Sequence, residues 1–404
     1  MKDRIEEAYA NVKLQEGAQV IEQLLIECYL RPGISTKELA RKTLLPIPVA
    51  TAIKKELIRA GALEQGRGVR CTDRGAEWIE KELGYGGIDK NLYQRLIGGE
   101  LDWADELGEL LAKLEAIFRS RPQVNVQIDQ SKCTAETSLR RAILCLKHHA
   151  LIGKQILCVG DDDLVSVSLS LLLQLLFPKR SDRRAAIDVV DLDARFISYI
   201  RQVADRERLP IRCRQLDLRQ PLPEEMHEQY DSFFTDPPYT LQGMTLFVSR
   251  GINALKRRKG APIFLSFAHK SPEFMLAMQR EFVRMGLTVC STIPRFNEYE
   301  GAEMIANRSQ MIVLKTTELT APPIIAPFED ALYTGEVKRT LRTYRCMRCE
   351  EAVYVGAQGD VPTIEDLKNR GCPSCQNDTF QLVSKTTVQT AGEQGDGSDQ
   401  ATAG

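Results

Sequence analysis

Three consecutive carboxylates follow a glycine at Gly160-Asp161-Asp162-Asp163, and a fourth acid, Asp236, precedes Pro237, Pro238 and Tyr239. Each group comes directly after a short apolar run, 156–159 or 233–234, of the kind that forms a buried strand. The run 164–177 is again apolar and reads as a helix. Strand, tight glycine turn and helix make the opening unit of a doubly wound α/β sheet, whose ligands lie at the carboxyl ends of the strands. One aspartate there would serve as a helix cap and a second would complement the macrodipole. Three exceed what capping needs, so the turn is expected to meet a cationic ligand. At Asp236 the two prolines stiffen the loop and remove backbone donors, leaving carbonyls and a carboxylate as acceptors beside an aromatic ring. Such a loop suits an amine, with the ring packed against the carbon next to nitrogen; a merely rigid turn is the alternative.

These residues need a sheet to position them, and further acids fall at its expected strand ends. Asp191 closes the run 186–190, about 30 residues beyond Gly160, where this fold hydrogen-bonds a ribose diol. Asp193 suits a cap for the helix that follows, and Asp217, just after the run ending at Gln215, would lie near an adenine amino group. Each acid alone is ambiguous, because strand-end carboxylates often only cap helices. Taken in order they indicate a nucleoside-bearing co-substrate. The run 124–130 alternates as a strand and delivers Asp129 and Gln130 to its end, before a helix over 134–149 that carries Arg140 and Arg141. Runs at 263–267, 287–291 and 311–314 complete the sheet. Between the last two, the segment 297–303 reads as a loop that brings Glu298, Glu300 and Glu303 to the same edge, or else as solvated loop charge.

The chain as a whole has 404 residues, a formal net charge of -1 and 27% charged residues. That length accommodates two or three domains, and the charge lacks the basic excess of a protein dominated by phosphate binding. No apolar run reaches the ~20 residues of a membrane span, and the first ten residues are mostly charged, so a cytoplasmic protein is expected. Cys28, Cys133, Cys145, Cys158, Cys213 and Cys290 are scattered singly and read as small apolar fillers.

Residues 14–86 show helical stretches over 15–30, 35–42 and 48–60, a short hairpin around Gly66-Arg67-Gly68, and a further helix over 73–83. This is the layout of a winged helix. Lys54, Lys55 and Arg59 would then lie on the recognition helix, and Arg67 and Arg70 on the wing. Basic and acidic side chains are nearly balanced here, which favours packing or dimerisation over DNA binding and makes nucleic acid an unlikely partner. A helical linker fills 87–123. Beyond a proline-rich connector over 319–343, Cys346-x-x-Cys349 and Cys372-x-x-Cys375 stand 22 residues apart, the pattern of a closed four-thiolate structural zinc ribbon over 344–384. Partner docking, a lid or stability are its open roles. The tail 385–404 is rich in small and polar residues and is expected to be disordered.

Gly160-Asp-Asp-Asp-Leu164, Asp236-Pro-Pro-Tyr-Thr240, and Asp129-Gln130 followed by the Arg140-Arg141 helix together resemble the branched-chain polyamine synthases, the N(4)-bis(aminopropyl)spermidine synthases, over about residues 14–318. The resemblance implies a doubly wound, Rossmann-like α/β domain of the S-adenosylmethionine-enzyme type over 124–318, between the winged helix and the ribbon. It also implies transfer of aminopropyl groups from decarboxylated S-adenosylmethionine to the secondary amine of spermidine, by a homodimer. Asp162 and Asp236 are then expected to orient the amine and take its proton. Asp161 and Asp163 would hold flanking ammoniums, and Tyr239 would shield the reacting centre. Asp129, Gln130, Gly160, Asp191, Asp217, Pro237, Glu298 and Glu300 would line the substrates. Two rival readings are an S-adenosylmethionine-dependent amino-methyltransferase acting on RNA or DNA, and a regulator whose α/β domain only senses a ligand. The aspartate turn would repel a phosphate backbone, which weighs against the first.

Overall fold

The computed structural model describes residues 7, 17, 19–98, 103–300, 307–356, 359–361 and 363–389. The chain divides into two compact units, one of residues 1–124, 131–237 and 245–328, the other of 125–130, 238–244 and 329–404.

The first unit begins with helices Gln19–Leu30, Thr36–Lys42 and Ile47–Arg59, followed by a hairpin of β1 (Leu63–Gln65) and β2 (Val69–Cys71) and the helix Asp73–Glu82. Ser35 caps the second helix by accepting the Glu38 N–H, and Thr72 caps the fourth through Gly75. Helices Lys90–Gly98 and Trp103–Arg119 lead on to an eight-stranded sheet. Its strands are β3 (Lys132–Cys133), β4 (Gln155–Val159), β5 (Ala186–Asp191), β6 (Ile211–Gln215), β7 (Ser232–Thr235), β8 (Pro262–Ala268), β9 (Leu287–Glu300) and β10 (Arg308–Thr316). The spatial order is β3-β9-β10-β8-β7-β4-β5-β6. Strands β4 to β8 are parallel, and β10 is antiparallel to both β8 and β9. Strands β7 and β8 are buried along their whole length, because helices cover both faces of a parallel sheet.

From β4 the chain winds outward through β5 and β6, then returns to β7 on the opposite side of β4. That reversal is the switch point of a doubly wound sheet, where a crevice opens at the strands' carboxyl ends. Asp161 to Asp163 follow β4 and Asp236 follows β7, so the topology brings both sequence motifs to one place. Gly160 turns out of β4 at φ 77°, a left-handed conformation that glycine adopts without penalty.

Three expectations are corrected. The run 124–130 is not a strand: Val126–Ile128 is a 3-10 turn, with Asp129 left-handed at φ 57°. Local polar groups close it, since the Gln127 N–H donates to Asn125 and the Asn125 N–H donates to Gln130, and such bonds outcompete a ladder. The segment from 297 is not a loop, because β9 continues through Glu300 while pairing with β10 and β3; Glu303 lies outside the described residues. Cys290 is exposed rather than an internal filler, and Cys213 is only half-buried, whereas Cys28, Cys133, Cys145 and Cys158 are buried as expected.

In the second unit, β11 (Lys338–Cys346), β12 (Ala352–Val355) and β13 (Phe380–Gln389) form an antiparallel sheet in the order β12-β11-β13. Strand β11 thus starts within the expected connector, and β13 runs from the expected ribbon into the expected tail, of which 390–404 lie outside the described residues. Among the described residues no helix is long and apolar enough to cross a membrane.

Strand β7, which delivers Asp236, rests on a glycine. A Cβ at Gly251, in the helix Leu241–Ala254, would collide with the buried Phe233 ring of β7. Gly251→Ala should therefore lower unfolding free energy by ~1–3 kcal/mol, read as a lower midpoint in urea. A midpoint equal to wild type would show that β7 can yield without cost.

Candidate active site

The three aspartates after β4 do three different things. Asp161 is the helix cap: its carboxylate accepts the Val165 N–H at 2.7 Å and the Ser166 N–H at 3.3 Å, and the Ser166 hydroxyl also donates to it. Burial nevertheless pushes this carboxyl up to about 8, against the lowering effect of those donors. Asp163 turns the other way. Its Oδ2 takes Nη1 of Arg141 at 2.7 Å and its Oδ1 accepts the Cys133 N–H at 3.1 Å. Burial works to raise Asp163, but the Arg141 guanidinium overcomes it and holds the carboxyl below the usual range. Asp162, half-buried, accepts the Ser131 N–H at 3.2 Å, its one protein donor among the described residues. Burial first, then the charges of Asp163, Asp191 and Asp236, drive its carboxyl well up. Asp162 is therefore the carboxylate of the three least committed to the protein.

Arg141, from the helix Ala135–Lys147, is 2% exposed and spends all three guanidinium nitrogens within the protein. Besides Asp163 it donates through Nη2 to Asp236 Oδ2 at 3.0 Å and to the Tyr299 hydroxyl at 3.1 Å, and through Nε to Asn297 Oδ1 at 2.9 Å. Tyr299 lies 2.7 Å from Asp236 Oδ2 and 2.9 Å from Ser309 Oγ, and Asn297 Nδ2 donates to Ser309 Oγ at 2.9 Å. Asp163 and Asp236 meet at the same guanidinium, and each alters the other's proton affinity. Burial raises Asp236 to about 7, with Arg141 and Tyr299 pulling down and Asp163 pushing up. It is thus poised to gain or lose a proton near neutrality, as a general base requires.

The sequence places Arg141 on the 134–149 helix without a role, and Tyr299 falls in the 297–303 segment that reads as a loop. The signal for Tyr299 was present in Asn297-Glu-Tyr-Glu300, an alternation of period two. Asn297 and Tyr299 point inward and are buried, while Glu298 is half-buried and Glu300 exposed. Glu298 pairs with Arg308 at 3.2 Å and Glu300 lies opposite Lys132 on β3, so neither carboxylate joins the Arg141 network. Asp191, at the end of β5, is buried and accepts the Asp161 N–H at 2.9 Å and the Asp193 N–H at 2.7 Å; burial raises its carboxyl. Asp193 caps the next helix through the Arg195 N–H. Asp217 is exposed beyond β6 and accepts the Arg219 N–H. Pro237 is buried. Asp129, Gln130 and Tyr239 belong to the second unit, where Asp129 accepts the Thr334 N–H at 2.7 Å.

Two further sets bear on the rival readings. Lys54 donates to Thr36 and Gln65, while Arg59 and Arg70 pair with Glu56 and Glu64, so three of the five candidate DNA-contacting side chains engage their own module. In the second unit the sulfurs of Cys346, Cys349, Cys372 and Cys375 all lie within 4.8 Å of one another. A tetrahedral site with ~2.3 Å metal–sulfur bonds has edges of about 3.8 Å, and two of the sulfur pairs here stand at 3.5 Å. Both knuckles place the residue after the second cysteine in the left-handed region, Glu350 at φ 62° and Gln376 at φ 58°. The four thiols could hold a metal ion.

Removing Arg141 would strand two buried carboxyls. Arg141→Met is expected to cost ~3–5 kcal/mol of stability at pH 8, measured by urea unfolding. A loss below about 1 kcal/mol would mean the carboxyls are held by other means.

Residues 109–355 match the family model described as the branched-chain polyamine synthase A C-terminal domain. The chain is 37% identical to an uncharacterized protein of Methanocaldococcus jannaschii over 93% of this chain and 91% of that protein. It is 31% identical to the N(4)-bis(aminopropyl)spermidine synthase of the same organism over 63% of this chain and 70% of that one. A solved structure of a branched-chain polyamine synthase mutein from Thermus thermophilus, in complex with N4-aminopropylspermidine and 5'-methylthioadenosine, has 24% identity and a TM-score of 0.48, covering 81% of this chain and 94% of that one. With more than half of its length inside the family model, and with the aspartate turn and the Asp236 loop meeting at the switch point, the chain belongs to the branched-chain polyamine synthase family.

Proposed function

We propose that this chain is an aminopropyltransferase. It moves aminopropyl groups from decarboxylated S-adenosylmethionine to the secondary amine of spermidine, giving N(4)-aminopropylspermidine and then N(4)-bis(aminopropyl)spermidine, with methylthioadenosine released. Beyond family membership, the supporting observation is the crowd of carboxyls at the switch point. Asp161, Asp162, Asp191 and Asp236 are all raised, and of these four only Asp236 bonds to the Arg141 guanidinium, an arrangement that a polycation relieves. Enzymes using intact S-adenosylmethionine offer backbone donors to its methionyl carboxylate at this turn. Aspartates there would repel that carboxylate and accept the bare ammonium of the decarboxylated donor.

In this reading the spermidine ammonium gives up a proton to Asp236, with Asp162 orienting the nitrogen. The nitrogen lone pair then attacks the methylene bound to the sulfonium. A carbon–nitrogen bond forms, the carbon–sulfur bond breaks, and its electron pair returns to sulfur as the neutral thioether of methylthioadenosine. The product nitrogen keeps its remaining proton as a tertiary ammonium, and before a second transfer Asp236 releases the first proton to solvent and takes this one. Asp191 and Asp217 are assigned to the nucleoside, Tyr239 to shielding the reacting centre, and Asp129 and Gln130 to the substrates. Residues 14–86 are assigned as a winged helix used for packing. The four cysteines are assigned to a structural zinc, which closes the 344–384 module and leaves no open position. A cytoplasmic homodimer is the expected form by resemblance.

Two outcomes test this reading. Asp162→Asn and Asp236→Asn should each lower methylthioadenosine release by at least about 100-fold with unchanged thermal unfolding; near-wild-type rates in both would remove the catalytic assignment. Cys346→Ser and Cys372→Ser should each strip zinc from the purified protein by elemental analysis, and undiminished zinc would place the metal elsewhere.

A further inference from the structure

When Asp236 is ionised, the hydrogens around Arg141 run in one direction. A guanidinium donates and never accepts, so the Asn297 atom facing Nε at 2.9 Å must be Oδ1. The amide is thereby fixed with Nδ2 toward Ser309 Oγ and the Gln310 carbonyl. Ser309 Oγ already receives that N–H, and the acceptor left for its own hydrogen, among the described bonds, is the Tyr299 hydroxyl at 2.9 Å. Tyr299 also receives Nη2 of Arg141 at 3.1 Å. With two donors pointing at it, the phenol gives its one hydrogen to Asp236 Oδ2 at 2.7 Å. The chain of donors therefore runs one way, from Arg141 and Asn297 through Ser309 and Tyr299 into Asp236.

We propose that Tyr299 is the positioning residue of the reaction: its hydroxyl, locked by Arg141 and Ser309 into donating to Asp236, sets how readily that carboxylate takes the proton of the acceptor amine. The inference rests on the proposed role of Asp236. Arg141 and Tyr299 converge on the same oxygen, Oδ2, and so fix the rotation of the carboxyl as well as its proton affinity. Both donors favour the ionised form, opposing the burial that favours the protonated one.

The sign follows directly. Asp236 must be ionised to act, so activity falls as pH drops through its titration. Without the phenol hydrogen the ionised form loses a donor, and the acid limb must move to higher pH. In Tyr299→Phe the acid limb of methylthioadenosine release should shift upward by about one pH unit. The rate below the limb then drops about tenfold, while the rate on the plateau changes little. Replacing Tyr299 alone with 3,5-difluorotyrosine keeps the shape and strengthens the donor, so the limb should move the opposite way. A purely structural residue would not produce shifts of opposite sign. Carbon-13 titration of the aspartate carboxyls, with Asp236 assigned through Asp236→Asn, reads the same quantity without turnover. A wild type that transfers no aminopropyl group would sink the function and leave this titration to judge Tyr299. An Asp236 titration unmoved by either tyrosine replacement would overturn the proposal, and so would a limb that moved the same way in both.

Discussion

A single guanidinium buried among carboxylates holds the catalytic end of this sheet together. Arg141 has no water to fall back on, so every one of its nitrogens must find an acceptor, and each acceptor comes from a different part of the sheet. Asp163 follows β4, Asp236 follows β7, and Asn297 and Tyr299 come from β9. Burying an ion without partners is costly, and this fixes the relative placement of three strand ends more tightly than apolar packing alone. The helix Ala135–Lys147 is in effect the bolt that carries the cation to them. The antiparallel strands β9 and β10 are thereby made part of the site rather than a mere extension of the sheet.

The same cation sorts carboxyls that are chemically identical. Beside it, Asp163 is held below the usual carboxylate range, and Asp236, pushed up by burial and by the charge of Asp163, is left near neutrality. Out of its reach, Asp161 serves the helix amides and Asp162 keeps a single backbone donor. Environment, not residue type, divides the work. This explains how three consecutive aspartates can be tolerated at a helix start. One is a cap, one is an ion-pair partner, and only the middle one meets the crevice with its charge unmet by the protein.

A cluster of this kind is matched to a small, flexible polycation better than to a nucleic acid. A bound ammonium favours the ionised form of the raised carboxyls and so eases their crowding. The basic side chains of the amino-terminal module, which would have argued for DNA, instead satisfy one another's neighbours.

What could be read from the chain itself was whatever is governed by neighbours in sequence. The strand-turn-helix at Gly160, the helix cap at Ser35, the stiff loop after Asp236 and the two Cys-x-x-Cys knuckles are all local, and their chemistry was legible. Apolar alternation over 124–130 predicts a strand, but the side chains of Asn125 and Gln130 close a 3-10 turn at 126–128 on itself. Strand β9 was cut short because its inward residues near the site, Asn297 and Tyr299, are polar, and a hydrophobic pattern cannot recognise them. Only the tertiary structure could decide which aspartate does what. Arg141 meets Asp236 across 95 residues and Tyr299 across 158, and an ion's partners are chosen by proximity in space, on which spacing in sequence is silent.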